Sequence, residues 1–378
     1  MKIAIVRKRY SDFGGAERYV AYLAERLVES GHDVHVFANE WKGGKTHPAK
    51  VVFHKVPIIK GLSVLQVLSF AVNSRRLLKK EGFDIIHSFE KTLYQDVYRA
   101  GDGCHKEWLQ QRTKIDPWYT SISSRLNPLH LSLLWIEKQI FSDGSFKMII
   151  ANSKRGKDEI IKHYGVPSEK VRVIYNAVEK NRYSLIHPAE ARMKIRNLHG
   201  ISSKDRVLLF VGSGFKRKGL AAAIESLGKL TFRAKLIVIG KDRIDPYQRL
   251  ARKMGIEKDV VFTGPIVGVE EYYYAGDLFI FPTIYEPFGN VCLEAMASGL
   301  PVITSRISGA SEVVEGGKNG YIIEDPLDPL EICEKIRMGF SLTKRSIQAF
   351  NSELLQQFSW ESHLKQLLEI YESINKKK

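Results

Sequence analysis

Two glutamates, Glu286 and Glu294, stand eight residues apart in "FPTIYEPFGNVCLEAMASGLPVIT" (281–304), around a Pro-Phe-Gly step and between two apolar runs of strand length. A carboxylate accepts hydrogen bonds from two vicinal hydroxyls, the pattern that a ribose or a hexose offers. "DLFIFPT" reads as a strand, "IYEPFG" as a loop and "NVCLEAMASG" as a helix stopped by Gly299. Glu286 then lies at the strand's carboxyl end and Glu294 about one turn into the helix, so both can face one ligand. At the head of that helix the amides of Phe288, Gly289 and Asn290 are placed to donate to phosphate or sugar oxygens.

A second chemical signal is cationic. "RVLLFVGS" leads into "GFKRKG" (214–219), where Lys216, Arg217 and Lys218 sit in a glycine-bounded loop just ahead of a helix. Such a loop suits a diphosphate. It is no Walker loop, because Leu220 follows Gly219, and its spacing fails the Gly-x-Gly-x-x-Gly fingerprint. The chain start repeats the arrangement more weakly: "KIAIV" leads to Gly14-Gly15, whose backbone can approach an anion at the positive end of the helix beginning near Ala16.

The elements that must position these residues alternate strand and helix. "AERYVAYLAERLVESGH" places Tyr19, Val20, Leu23 and Leu27 at helical spacing, Gly31 ends that helix, and "DVHVFA" is the next strand. Further strands are expected at 51–56, 83–89, 147–153 and 171–178. A polar stretch without a sustained strand follows Val178, and the alternation then restarts with six strand candidates from "RVLLFVGS" to "GYIIED". The pattern is α/β: two doubly wound, Rossmann-like domains, the first over 1–180 and the second over 181–358, with a terminal helix in 359–378 that can pack back on the first. Ligands of such sheets bind at the carboxyl ends of the strands.

Composition bounds the rest. A chain of 378 residues exceeds the size at which a single core stops growing. Its apolar runs are too short to cross a bilayer, and "MKIAIVRKRY" is too short in its apolar part for a signal peptide, so the expectation is a cytoplasmic protein. Cys104, Cys292 and Cys333 are scattered and lack a Cys-x-x-Cys pair, which argues for buried thiols rather than a disulfide frame or thiolate metal site. A formal charge of +16 draws the molecule to phosphates in a ligand, a nucleic acid or an anionic membrane. No zinc-finger spacing or aromatic RNA-binding strand accompanies that charge, so no nucleic-acid partner is expected.

"EPFGNVCLEAMASGLPVITS" resembles the Glu-x7-Glu segment of the retaining glycosyltransferases of family 4, enzymes of the GT-B fold with two Rossmann-like domains facing across a cleft. The likeness extends to "FGGAER", "VIYNAVE", "VGSGFKRKG" and "GASEVVEGGKNGYII". Within the family it looks most like the lipopolysaccharide core glucosyltransferases that move glucose from UDP-glucose to inner-core heptose. The resemblance implies that Glu294 binds the nucleotide's ribose and that Glu286 contacts hydroxyls of the donor sugar. It implies further that Arg217 and Lys218 neutralise the diphosphate, that Gly14 and Gly15 lie beneath the donor phosphates, and that Asp102 contacts the transferred sugar. Asp102, Glu286 and Lys218 are thus the expected catalytic set, and Ser213, Phe288, Gly289 and Asn290 join the donor-binding one. Many relatives carry arginine where Ser213 stands, which shifts phosphate neutralisation here to residues 216–218. No Asp-x-Asp motif is present, so no metal is expected, and the UDP-sugar is a co-substrate rather than a cofactor.

The resemblance further implies a lipid-linked acceptor met at the inner face of the cytoplasmic membrane. Residues 104–141 hold three of the five tryptophans, Trp108, Trp118 and Trp135, among Lys106, Arg112, Lys114, Arg125 and Lys138. Two readings fit that stretch: an interface with an anionic leaflet, or an acceptor-side insertion that packs its tryptophans internally. A transferase of the same family with another nucleotide sugar and acceptor, and an epimerase of the same fold, also remain compatible with the sequence.

Overall fold

The computed structural model describes residues 1–11, 15–42, 50–117, 123, 126–142, 144, 146–179, 181–184 and 186–376. The chain divides into two units, one of Met1–Tyr175 with Glu361–Lys378 and the other of Asn176–Trp360. Each is built on an all-parallel sheet whose central strands are buried and apolar, as sheets covered on both faces require.

In the first unit the strands are β1 (Lys2–Val6), β2 (Arg9–Ser11), β3 (Asp33–Ala38), β4 (Glu40–Lys42), β5 (Val51–Lys55), β6 (Ile85–Ser88), β7 (Val97–Arg99), β8 (Met148–Ala151) and β9 (Val171–Val173). Seven of them form one sheet in the order β5-β3-β1-β6-β7-β8-β9, and β2 pairs with β4 in a small ribbon. The order reverses between β1 and β6. Two features differ from the sequence reading. The basic loop after β1 contains the short strand β2, pinned by Tyr10 and Trp41 against Phe53 at ring distances of 5.2 and 5.5 Å. And β7, only three residues long, offers no apolar run that marks a strand in the sequence; its pairing with β6 and β8 makes it one. The helix Gly15–Glu29 buries Tyr19, Val20, Leu23 and Leu27, and Gly31 takes a φ of 81° just beyond it.

The second unit carries β10 (Arg206–Val211), β11 (Ala234–Ile239), β12 (Val260–Gly264), β13 (Leu278–Phe281), β14 (Val302–Ser305) and β15 (Gly320–Ile323), so all six expected strands form. Their order is β12-β11-β10-β13-β14-β15, reversing between β10 and β13. Leu208, Phe210, Leu278, Ile280 and Ile303 pack its core with Ile224 and Leu227 of the helix Leu220–Gly228. The three cysteines are buried thiols. Among the described residues no helix is long and apolar enough to cross a membrane.

The terminal helix Trp360–Asn375 packs within the first unit through neutral histidines. His363 Nδ1 donates to the carbonyl of Tyr175 at 2.7 Å, which leaves Nε2 to accept from the Tyr19 hydroxyl at 2.5 Å. The Tyr371 hydroxyl lies 2.6 Å from His87 Nδ1. Burial, with the Arg99 charge adding to it, pushes His363 down to about 3 and holds His87 well below its usual value. Both rings therefore stay neutral in the fold yet take a proton below about pH 6.5 when the chain opens. The opened chain binds more protons there, so stability falls as pH drops from about 6.5 towards 3, by up to about 1.4 kcal/mol per pH unit for each ring. Thermal melts at pH 7.5, 6.0 and 5.0 check this. The first unit should melt progressively lower, with a shallower slope in His363→Gln, whereas equal melting temperatures at all three pH values would contradict the neutral-histidine packing.

Candidate active site

At the reversal of the second sheet, β10 and β13 lie side by side and their following loops meet. The loop after β10 runs through Gly212, Ser213 and Gly214 to Gly219, which has a φ of 76° and opens the helix Leu220–Gly228. A Cβ on Gly219 would stand 1.9 Å from the Pro282 carbonyl oxygen of the loop after β13, so only glycine permits this approach. Backbone contact is completed by the Ile284 amide, which donates to the Arg217 carbonyl at 2.9 Å. The Thr283 hydroxyl donates to the same carbonyl at 3.1 Å.

Side chains follow from that contact. Arg217 Nη1 donates to the Tyr285 carbonyl at 2.7 Å and to Glu286 Oε2 at 2.8 Å. Lys218 folds back over the strand end, with Nζ 5.2 Å from the centre of the Phe281 ring. Gly212 makes room for it, since a Cβ there would lie 2.2 Å from that nitrogen. Burial pulls the Lys218 ammonium below its ordinary value, with Arg217 adding to the effect and Glu286 and Glu294 opposing it. The structure thus brings Arg217, Lys218, Glu286 and Glu294 into one electrostatic cluster. Lys216 is exposed, and Ser213, also exposed, accepts from the Lys241 amide at 3.0 Å.

The loop after β13 ends in Gly289, at a φ of 98°, which caps the helix Asn290–Ala297 without a side-chain acceptor. Phe288 is fully buried, and its carbonyl accepts from the Ala310 amide at 2.7 Å and the Ser308 hydroxyl at 3.0 Å. Glu294 lies in that helix, where the hydroxyl of fully buried Tyr273 donates to its Oε2 at 2.8 Å. Asn290 Oδ1 accepts from Asn176 Nδ2 at 2.5 Å, so "VIYNAVE" delivers a residue to the same helix end. Tyr273, Ser308 and Asn176 were not singled out from the sequence; the only hint at the first was the tyrosine run 272–274 ahead of β13.

The reversal of the first sheet gathers carboxylates instead. Buried Arg7, just after β1, donates from Nη1 to the Phe89 carbonyl at 2.8 Å, beyond the end of β6. Its guanidinium lies 3.5 Å from Glu17, 3.6 Å from Glu90 and 3.8 Å from Asp102. Asp102 is exposed, whereas burial pushes the Glu90 carboxyl up against the pull of Arg7. Gly15 is the first residue of its helix, and Gly14 lies outside the described residues. Next to this cluster Lys91 is 3.0 Å from fully buried Glu137. Glu137 in turn caps the helix His105–Arg112, accepting from the amides of His105 and Lys106 at 2.8 and 3.2 Å. In the stretch 104–141, Trp135 is half exposed on the helix Pro128–Ser142 beside exposed Lys138, while Trp118 and Arg125 lie outside the described residues.

Comparisons with known proteins match these two units. Glycosyltransferase Family 4 matches residues 13–182, and Glycosyl transferases group 1 matches residues 191–345. Lipopolysaccharide glucosyltransferase WaaG of Escherichia coli (strain K12) is 27% identical over 346 residues, covering 90% of each chain. A crystal structure of WaaG superposes with a TM-score of 0.81 at 25% identity, covering 98% of this chain and 99% of that one. HepE of Anabaena, solved in complex with UDP-glucose, shares the fold with a TM-score of 0.73 at 20% identity, covering 99% of this chain and 100% of that one. With one family matched to each parallel-sheet unit, the chain belongs to the family 4 glycosyltransferases and has the GT-B fold.

Proposed function

We propose that the protein is a retaining, metal-independent hexosyltransferase that moves glucose from UDP-glucose to a lipid-linked saccharide such as the inner-core heptose of lipopolysaccharide. The observation that carries this reading is the cluster at the ends of β10 and β13, where Arg217 and Lys218 stand beside Glu286 and Tyr273 orients Glu294. The activity named for the Escherichia coli relative supports the sugar and the acceptor class, and the HepE complex supports the nucleotide.

In this reading Glu294 accepts from the ribose hydroxyls, and Glu286 from hydroxyls of the donor sugar. Arg217, Lys218 and the amides at Gly289 and Asn290 hold the diphosphate, and Asp102 contacts the transferred sugar. As the bond from the anomeric carbon to the phosphate oxygen breaks, negative charge grows on the diphosphate, and fixed cations there lower the barrier. The acceptor hydroxyl bonds to the same face of that carbon and passes its proton to a donor phosphate oxygen. No protein base takes part. Half-exposed Trp135 with Lys138, and the formal charge of +16, support peripheral docking on the anionic inner face of the cytoplasmic membrane.

Transfer and hydrolysis of UDP-, GDP- and ADP-sugars in EDTA test the reading. UDP-glucose should be consumed without metal. Lys218→Ala should lower kcat by about 100-fold or more, and Glu294→Ala should raise KM for the donor by about tenfold or more. Turnover of another nucleotide sugar would move the assignment to a different donor and acceptor, and variants behaving like wild type would remove this cluster from the donor site. Tyr273 acts through Glu294. Tyr273→Phe should therefore raise the donor KM by about five- to tenfold and leave kcat within about a factor of two, whereas a purely structural role would lower the melting temperature without that split.

A further inference from the structure

A second cluster of chemically capable side chains lies at the edge of the first sheet, apart from the donor residues. β3 and edge strand β5 pair in parallel with Phe37 opposite His54. That register sets His35 diagonal to His54, the rings meeting edge to edge at 5.0 Å between centres and 23° between planes. His35 Nδ1 faces His54 Nε2 at 2.8 Å. Glu81, in the turn that leads to β6, brings Oε1 to 3.7 Å from the other nitrogen of His54. Donor atoms of His35, His54 and Glu81 all lie within 4.8 Å of one another.

In the metal-free protein the protons form one N–H···N hydrogen bond, His54 Nε2 donating to His35 Nδ1, and a bound cation would replace that proton. Asp33 sits 3.3 Å from His35 Nε2 and, when ionised, can only accept, so that nitrogen carries the hydrogen and Nδ1 presents its lone pair to His54. This is the carboxylate–histidine relay that orients a metal-bound imidazole. Phe37 stacks on His54 at 4.4 Å, and Phe83 meets the edge of His35 at 5.2 Å, which fixes both rings. His35 is buried, whereas His54 and Glu81 are partly exposed, which leaves a route for an ion and a water ligand.

We infer that His35 Nδ1, His54 Nε2 and the Glu81 carboxylate bind one divalent transition ion of the zinc type, tying edge strand β5 and the turn before β6 to the sheet. Zinc-to-nitrogen bonds of about 2.0–2.1 Å put tetrahedral donors roughly 3.3 Å apart. The ring nitrogens therefore open by about half an ångström, and Glu81 swings inward from its 3.2 Å contact with Lys2. A second histidine pair, His105 with His130 at 3.1 Å, is less suited, because among the described residues no third ligand group stands within reach of both its nitrogens.

Titration of the metal-free full-length protein with ZnCl2, followed by calorimetry and by thermal melts, tests the inference. The expected result is one zinc per chain and a melting temperature a few degrees higher. His54→Gln should abolish that shift, and Glu81→Gln should weaken binding by about tenfold or more. Both variants should keep wild-type circular dichroism and transfer activity, which separates this inference from the donor-site reading. Failure of wild type to bind zinc, retention of the shift in His54→Gln, or its loss in a His130→Gln control instead would overturn the assignment.

Discussion

The guanidinium of Arg217 holds together the cluster at the ends of β10 and β13. It bridges the loops after β10 and β13 through the Tyr285 carbonyl and the Glu286 carboxylate, while its own carbonyl accepts from Ile284 and Thr283. The interaction exists only because β10 and β13 are neighbours at the point where the strand order reverses, the position at which such sheets bind ligands. Glycine at 219 then lets one loop press against the carbonyl of Pro282 in the other. Cations and carboxylates are thereby fixed on backbone that cannot move independently, the preorganisation that electrostatic stabilisation requires.

The first unit uses the same device with the opposite charge balance. Arg7 bridges the ends of β1 and β6, but three carboxylates surround it, whereas Arg217 pairs with Glu286 and has Lys218 beside it. A carboxylate-rich strand end suits hydroxyl groups, and a cation-rich one suits a diphosphate. The fully buried Glu137 beside this cluster also has a structural reason to be charged. Removing a charge from water is costly, and here the penalty is offset by Lys91, the Tyr164 hydroxyl and two helix-terminal amides at once.

What the sequence made legible follows from how local each determinant is. The six strands of the second unit, the basic loop and the positions of Glu286 and Glu294 were readable because continuous apolar runs, glycines and a helix start lie within a few residues of one another. β7 was not, since Val97–Arg99 becomes a strand only when β6 and β8 flank it. Tyr273 escaped for a related reason: it reaches Glu294 from another element, and the hydrogen bond joins residues 21 apart in the chain. His35 and His54 share no motif. Their contact is created by the register of β3 on β5, which periodicity alone does not specify.

Lys218 shows how the proposed chemistry and the fold's energetics meet. Its ammonium is largely withdrawn from water and repelled by Arg217, with Glu286 and Glu294 partly compensating, so its charged form is held less firmly than in an exposed lysine. On the proposed reading, a diphosphate would supply the missing counter-charge, and the charge that grows on it during bond cleavage would supply more. An exposed lysine would lose much of that gain to solvent screening. Gly212, which lets the side chain fold beneath the loop, is therefore as much a part of the electrostatics as the lysine itself.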